Sequence, residues 1–191
     1  MKLVQAFQRL DLNTDNCDMK ILLTHGHYDH IGAIGDLIQM LDPVPIYIHE
    51  NEEQFLIDPS LNLSESIENM NFSEHLHLVH KVKQDDVISV GSICLRVVEA
   101  PGHTPGSILF VDDANKIIFT GDVLFKDLVG NVDLKGGSFD QMKNTIEKVL
   151  NNLPDDYKFF PGHGVDSSIG YEKKNNEYLK NPDLVQFLKF C

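Results

Sequence analysis

Short apolar runs alternate with turn-forming clusters along this chain, and the period of the apolar positions changes as it proceeds. Leu3, Val4, Phe7 and Leu10 recur at helical spacing and predict a first helix, ended by the turn-rich Asn13-Thr14-Asp15-Asn16. Met19 to Thr24 then reads as a buried strand. Ile31, Ile34, Leu37, Ile38 and Leu41 follow helical spacing as far as Pro43, which puts His30 near a helix start. Behind Pro45, Ile46 to Ile48 predicts a second short strand, and Glu52 to Ile57 a brief helix. The polar, weakly patterned stretch from there to Glu74 reads as a loop or lid.

From Leu76 to Asp112 the pattern becomes β-rich: Leu76-Val79, Val87-Ile88, Ile93-Leu95-Val97 and Ile108-Val111 are separated by Gly, Pro or Asp. Lys116 to Thr120 adds a further strand. Phe139, Met142, Ile146, Val149 and Leu150 predict a helix between Ser138 and Pro154, followed by Lys158-Phe159-Phe160 as a strand and a closing helical stretch from Ile169. Helices alternate with strands in the first and last thirds around a strand-rich middle, so the fold class is α/β, with sheet layers covered by helices. No linker divides the 191 residues, and residues 1–191 are expected to form one domain.

The chemistry is concentrated after the first predicted strand, in His25-Gly26-His27-Tyr28-Asp29-His30. Alternate side chains of an extended segment share a face, so His25 and His27 can grip one ion, while Asp29 and His30, past the bend, face another. Without a cation, three imidazoles in six residues would leave repelling or unpaired polar groups. Three further Gly-rich turns follow apolar strands: Pro101-Gly102-His103-Thr104-Pro105-Gly106, Thr120-Gly121-Asp122 and Pro161-Gly162-His163-Gly164. Such turns can aim side chains at a common point from several strand ends. Each alone is weak, but with the hexad they supply five His and two Asp, enough for two ions sharing a bridging carboxylate.

Charge and composition narrow the partners. Sixteen Lys and Arg against 29 Asp and Glu give a net charge of −13, which disfavours nucleic acid. The sequence has no apolar run of about 18 residues, the length that could span a membrane. The amphipathic start from Met1 to Arg9 is unlike a signal-peptide core, so a cytoplasmic location is expected. Cys17, Cys94 and Cys191 are widely spaced and outside every motif, which fits free thiols in a reducing compartment. Beyond a small-molecule substrate, a homo-oligomer is the one further partner state allowed for.

In its motif order from about Lys20 to Tyr178 the chain resembles the metallo-β-lactamase fold superfamily, and within it the glyoxalase II-like hydrolases. The resemblance implies an αβ/βα sandwich with the site at one edge, between two sheets. It also implies that His25, His27 and His103 hold a first metal, that Asp29, His30 and His163 hold a second, and that Asp122 bridges them. Tyr171 to Leu179 looks like the closing segment of small glyoxalase II-like members. Two divalent ions are expected as cofactor. Nitrogen and oxygen ligands without Cys suit zinc, iron or manganese alike; zinc is the expected pair, with iron or manganese as alternatives.

Two such ions can hold a hydroxide ready at neutral pH and stabilise a tetrahedral oxyanion, so no Ser-His-Asp triad is required. Asp29 is assigned a second, catalytic role in orienting that nucleophile. The resemblance implies an acyl thioester as the small-molecule substrate, and the chemistry agrees with it: thiols leave with little need of an acid, and no dedicated general acid is evident. A lactonase or other ester hydrolase is the alternative, with an inactive metal-binding remnant behind it. The acidic charge disfavours a nuclease of the same superfamily.

The chain also departs from the family pattern. Relatives usually begin with a strand hairpin and an Asp-Pro-Gly turn, whereas this chain starts at the following helix, so the architecture is expected to be incomplete at the N-terminus. Asn131 stands where many small members carry Arg, which bears on local packing or specificity, and the helical C-terminal domain with basic residues of true glyoxalase II is not expected after Cys191, so the resemblance does not by itself imply glutathione specificity. Lys126 and Lys135 are candidates for a substrate carboxylate, although an exposed Lys is usually just solvated. His75, His77 and His80 resemble a second ligand set, but an exposed strand face is the simpler account, and His49 is read the same way.

Overall fold

The structure, a computed structural model, describes residues 18–41 and 43–188. The predicted first helix, Cys17 and Cys191 lie outside the described residues, and Cys94 is an exposed free thiol. Strands β1 (Ile21–Leu22), β2 (Ile46–His49) and β3 (Val79–Val82) form a parallel sheet in that order. Helices α1 (Tyr28–Ile31) and α2 (Ile34–Leu41) cover its outer face. Ile31, Ile34 and Ile38 pack there against Leu23, Ile46 and Ile48, as their helical spacing predicts.

The second sheet has the order β11-β10-β7-β6-β5-β4. Its strands are β4 (Val87–Val90), β5 (Ile93–Glu99), β6 (Ile108–Asp112), β7 (Ile117–Gly121), β10 (Lys158–Pro161) and β11 (Ser167–Ser168). Strand β6 is buried throughout, and its alternating side chains serve two cores. Ile108 and Phe110 face the first sheet beside Leu95 and Val97, while Leu109 and Val111 pack against Met142, Ile146 and Ile169. Those last three lie on α3 (Phe139–Lys148) and α4 (Ile169–Asn175), capped by the Ser138 and Ser168 hydroxyls. The layers therefore run helices, sheet, sheet, helices, the αβ/βα sandwich of the metallo-β-lactamase type that the resemblance implies. The described chain also has a small hairpin, β8 (Leu124–Phe125) with β9 (Leu128–Val129), a short helix α5 (Glu177–Lys180) and several 3₁₀ segments, of which Pro182–Phe187 follows α5.

Several boundaries differ from the periodic reading. The strand expected over Met19 to Thr24 shrinks to two residues, because only Ile21 and Leu22 lie opposite β2 residues in register. The helix expected from Ile31 begins earlier, at Tyr28, and breaks at Gly32 and Ala33. Leu76 to Leu78 belongs to a 3₁₀ turn (Ser73–Leu78) rather than to a strand. Strand β2 starts at Ile46, opposite Val79, and offers nothing for earlier residues to pair with. Between Asp58 and Asn71 the chain is a loop pinned by buried Asn62 and Ser64. Asn62 Nδ2 donates to the Phe55 and Met70 carbonyls at 2.8 and 3.0 Å, and its own carbonyl accepts the Tyr28 amide that opens α1.

Candidate metal centre

The ends of β1, β5, β7 and β10 meet at one edge of the sandwich. His25 and His27 follow β1, and His103 lies beyond β5. Asp122 follows β7, and His163 follows β10, which pairs parallel to β7 with Pro161 opposite Gly121. Backbone bonds from Ile108 N to Thr24 O (3.0 Å) and from Gly162 N to Gly121 O (2.9 Å) hold neighbouring turns together. Asp29 and His30 project from α1, whose first turn starts directly at His27.

All seven predicted side chains converge here. His25, His27 and His103 form one group whose ligand atoms lie within 4.8 Å of one another, and Asp29, His30 and His163 form a second. Asp122 lies between them, with Oδ1 3.2 Å from His30 Nε2 and Oδ2 3.5 Å from His163 and 3.8 Å from His103 Nε2. A third overlapping group joins His25, His30 and Asp122. The first group is buried, whereas the His163 side chain is 56% and that of Asp29 35% exposed, so the second group faces the opening.

The donor set fits cations. Nε2 of His25, His27 and His30 and Oδ1 of Asp122 are buried with no hydrogen-bond partner, and the close His30–Asp122 contact is not aligned to make one. Four such orphans in one place are costly unless a cation satisfies them. Burial, reinforced by the neighbouring imidazoles, pushes the His25 pKa well below its ordinary value. Burial and then His103 bring His27 down to about 3, and burial also lowers His103. These rings are therefore neutral, the form that ligates. His30 runs the other way, because Asp122 and Asp29 outweigh the effect of its burial. The same contact, with His103 and His163, lowers Asp122 despite its own desolvation.

Surrounding groups fix ring orientation. The Asn131 carbonyl, 2.7 Å from His103 Nδ1, accepts its proton and leaves Nε2 as the lone-pair nitrogen facing His27 Nδ1 at 2.9 Å. Asn131 thus contributes its backbone carbonyl to the site. Thr24 Oγ1 lies 3.2 Å from His25 Nδ1. Glycine is needed where backbone passes close: a Cβ on Gly162 would lie 2.3 Å from Asp122 Oδ1 and 2.6 Å from His30 Cε1. Gly162→Ala should weaken metal binding by about 10–100-fold, the equivalent of an overpacking cost of about 1–3 kcal/mol. Metal content after dialysis measures this, with Gly35→Ala, a helical position with open space around it, as the comparator. Equal metal content in the two variants would contradict the steric argument.

Sequence reasoning missed Glu52. Its carboxylate is fully buried and accepts the backbone amides of Gly26 and Gly106, both at 2.8 Å. Burial pushes its pKa up, against the lowering effect of Thr104 and the two amides. An acidic residue in a predicted brief helix reads as surface, and nothing local marks it otherwise. His49, expected on an exposed strand face, is instead buried, with Nε2 3.1 Å from Glu99 and Nδ1 accepting the Asn51 amide. His75, His77 and His80 are absent from the metal-holding groups of the described residues, and His80 stacks on Tyr47. Lys135 bonds to the Ser60 hydroxyl and Lys126 lies over the Tyr171 ring, 5.5 Å from its centre. A recess of about 490 Å³ opens beside His103, Asp122 and His163, lined by Phe125, Leu128, Leu134 and Asn131, and neither lysine lines it.

Comparison with known proteins decides the family. Residues 19–163 match the model of the metallo-beta-lactamase superfamily. The chain belongs to that superfamily. It is 35% identical over 162 residues to the probable metallo-hydrolase YqgX of Bacillus subtilis, covering 84% of this chain and 75% of that one. It is 32% identical over 180 residues to the hydroxyacylglutathione hydrolase GloC of Haemophilus influenzae, covering 94% and 82%. Among solved structures, the BLEG-1 B3 metallo-beta-lactamase superposes with a TM-score of 0.83 at 30% identity, over 94% of this chain and 84% of that one. TTHA1623, solved in a di-iron-bound form, gives 0.75 at 29% identity, over 93% and 83%. No helix of the described residues is long and apolar enough to cross a membrane.

Proposed function

We propose that this metallo-beta-lactamase superfamily member is a dinuclear metal-dependent hydrolase of acyl thioesters. The observation that carries the reading is the convergence of seven His and Asp side chains with four buried donor atoms left unsatisfied. His25, His27 and His103 would hold one ion, Asp29, His30 and His163 the other, and Asp122 would serve both. Zinc suits the donors, and iron is an alternative supported by the di-iron form of TTHA1623. Two bound divalent ions would supply Lewis acidity for a carbonyl and a water acidified to near-neutral pKa.

The residues supply the rest. Asp29, partly exposed and 2.9 Å from His163, would accept a hydrogen bond from an attacking water and orient it. His103, tied to the Asn131 carbonyl, keeps its ring fixed at the mouth of the recess. Phe125, Leu128 and Leu134 exclude water there and offer an apolar wall to one arm of the substrate. A thioester suits this wall, since a thiolate departs without a dedicated acid, and the GloC relative supports the same bond type.

The test is thiol release from metal-loaded protein, with zinc, iron and manganese in parallel arms. The substrates are S-lactoylglutathione and a series of straight-chain acyl thioesters, with lactones and a phosphodiester as rival classes. Along the acyl series kcat/KM should rise by up to about fourfold per methylene, the equivalent of about 0.8 kcal/mol for each one buried. Thiol release no faster than metal alone, with a lactone turned over instead, would replace the thioester reading by a lactonase.

A further inference from the structure

The 3₁₀ segment Glu50–Leu56 is wedged between two of the turns that carry the candidate ligands. On one side the Gly26 amide donates to Glu52 Oε2 at 2.8 Å, and on the other the Gly106 amide donates to Oε1 at 2.8 Å. Gly26 sits between His25 and His27, while Gly106 closes the turn that holds His103. Contact is so close that a Cβ on Gly26 would meet Phe55 Cβ at 2.3 Å, and one on Gly106 would meet Glu52 Cγ at 2.7 Å. One carboxylate, fully buried, therefore spans loops that are far apart in sequence.

We propose that Glu52 is a positioning residue that sets the distance between the His25–His27 turn and the His103 turn, and thereby governs one ion of the pair selectively. The inference rests on the dinuclear reading above. Selectivity follows from what Glu52 does not reach. Asp29 and His30 ride on α1, whose first amide bonds to the Asn62 carbonyl, and His163 follows Gly162, which is tied to Gly121. A carboxylate presents acceptors on both oxygens, whereas an amide must turn its NH₂ toward one of the two N–H donors. Glu52→Gln thus keeps the shape and breaks one arm of the brace.

The experiment is cobalt(II) titration of metal-free wild type and Glu52→Gln, read by visible absorption and by metal content. Wild type should take up two ions. The variant should keep one at wild-type affinity and bind the other about 10–100-fold more weakly, the usual cost of removing an outer support of a ligand. Glu172→Gln is the comparator: Glu172 is equally buried and accepts the Asp127 amide and Asn176 Nδ2, away from both groups. It should lower the melting temperature and leave the titration unchanged.

Two wild-type-like ions in Glu52→Gln, or equal weakening of both, overturns the inference, as does the same selective loss in Glu172→Gln. A wild type that binds no ion overturns the dinuclear reading instead. Should Glu52→Gln fail to fold, amide hydrogen exchange on metal-free wild type decides the question. The Gly26 and Gly106 amides should be protected and exchange together, and free-loop exchange rates at either one would overturn the brace.

Discussion

Asp122→Ala is expected to lower kcat/KM by about three orders of magnitude and to abolish uptake of the second ion. Asp122 is the only carboxylate within reach of both candidate groups among the described residues, 3.2 Å from His30 and under 4 Å from His103 and His163. Its loss leaves Asp29, at the exposed side, as the one carboxylate remaining in the two groups among the described residues. Losing shared charge stabilisation of several kcal/mol, about 4, corresponds to about a thousandfold in rate. Steady-state kinetics beside metal analysis of the same sample tests this. A variant with two ions and kcat/KM within tenfold of wild type would remove Asp122 from the centre.

Stripping the metals should lower the melting temperature by about 8–16 °C. A ligand present at a thousandfold its Kd stabilises a fold by about 4.1 kcal/mol, and a chain of this size moves by about 2–4 °C per kcal/mol. The structural reason is the orphaned set at His25, His27, His30 and Asp122, whose desolvation is uncompensated without cations. Thermal melts with and without a chelator measure the shift, and readdition of zinc should restore the original midpoint. An unchanged midpoint in chelator would mean that the orphaned atoms are satisfied by other means. The Asp122→Ala variant should respond to the chelator less than wild type does.

Much of the fold was legible in order and type. Strands β4 to β7 and helix α3 follow from alternation, from apolar spacing and from Ser138 as a cap, because each is built from residues that are local in sequence. Boundaries failed where pairing rather than propensity decides. Leu76 to Leu78 has strand character, but β2 has no residue opposite it. His49 looked like a surface residue because its partner, Glu99, lies 50 positions away.

By itself the sequence determined which candidate ligand side chains to expect at one site. The hexad from His25 to His30 and the Gly-rich turns at His103, Asp122 and His163 are dense enough to identify without coordinates, since ligand type and turn chemistry are local properties. Only the tertiary structure decided how those turns are held. The parallel pairing of β7 with β10 sets Asp122 beside His163, and the Asn131 carbonyl selects the His103 tautomer. Glu52 ties two ligand loops through backbone amides. Amides carry no residue identity, so such a brace leaves no mark in the sequence until folding brings its donors to one buried carboxylate.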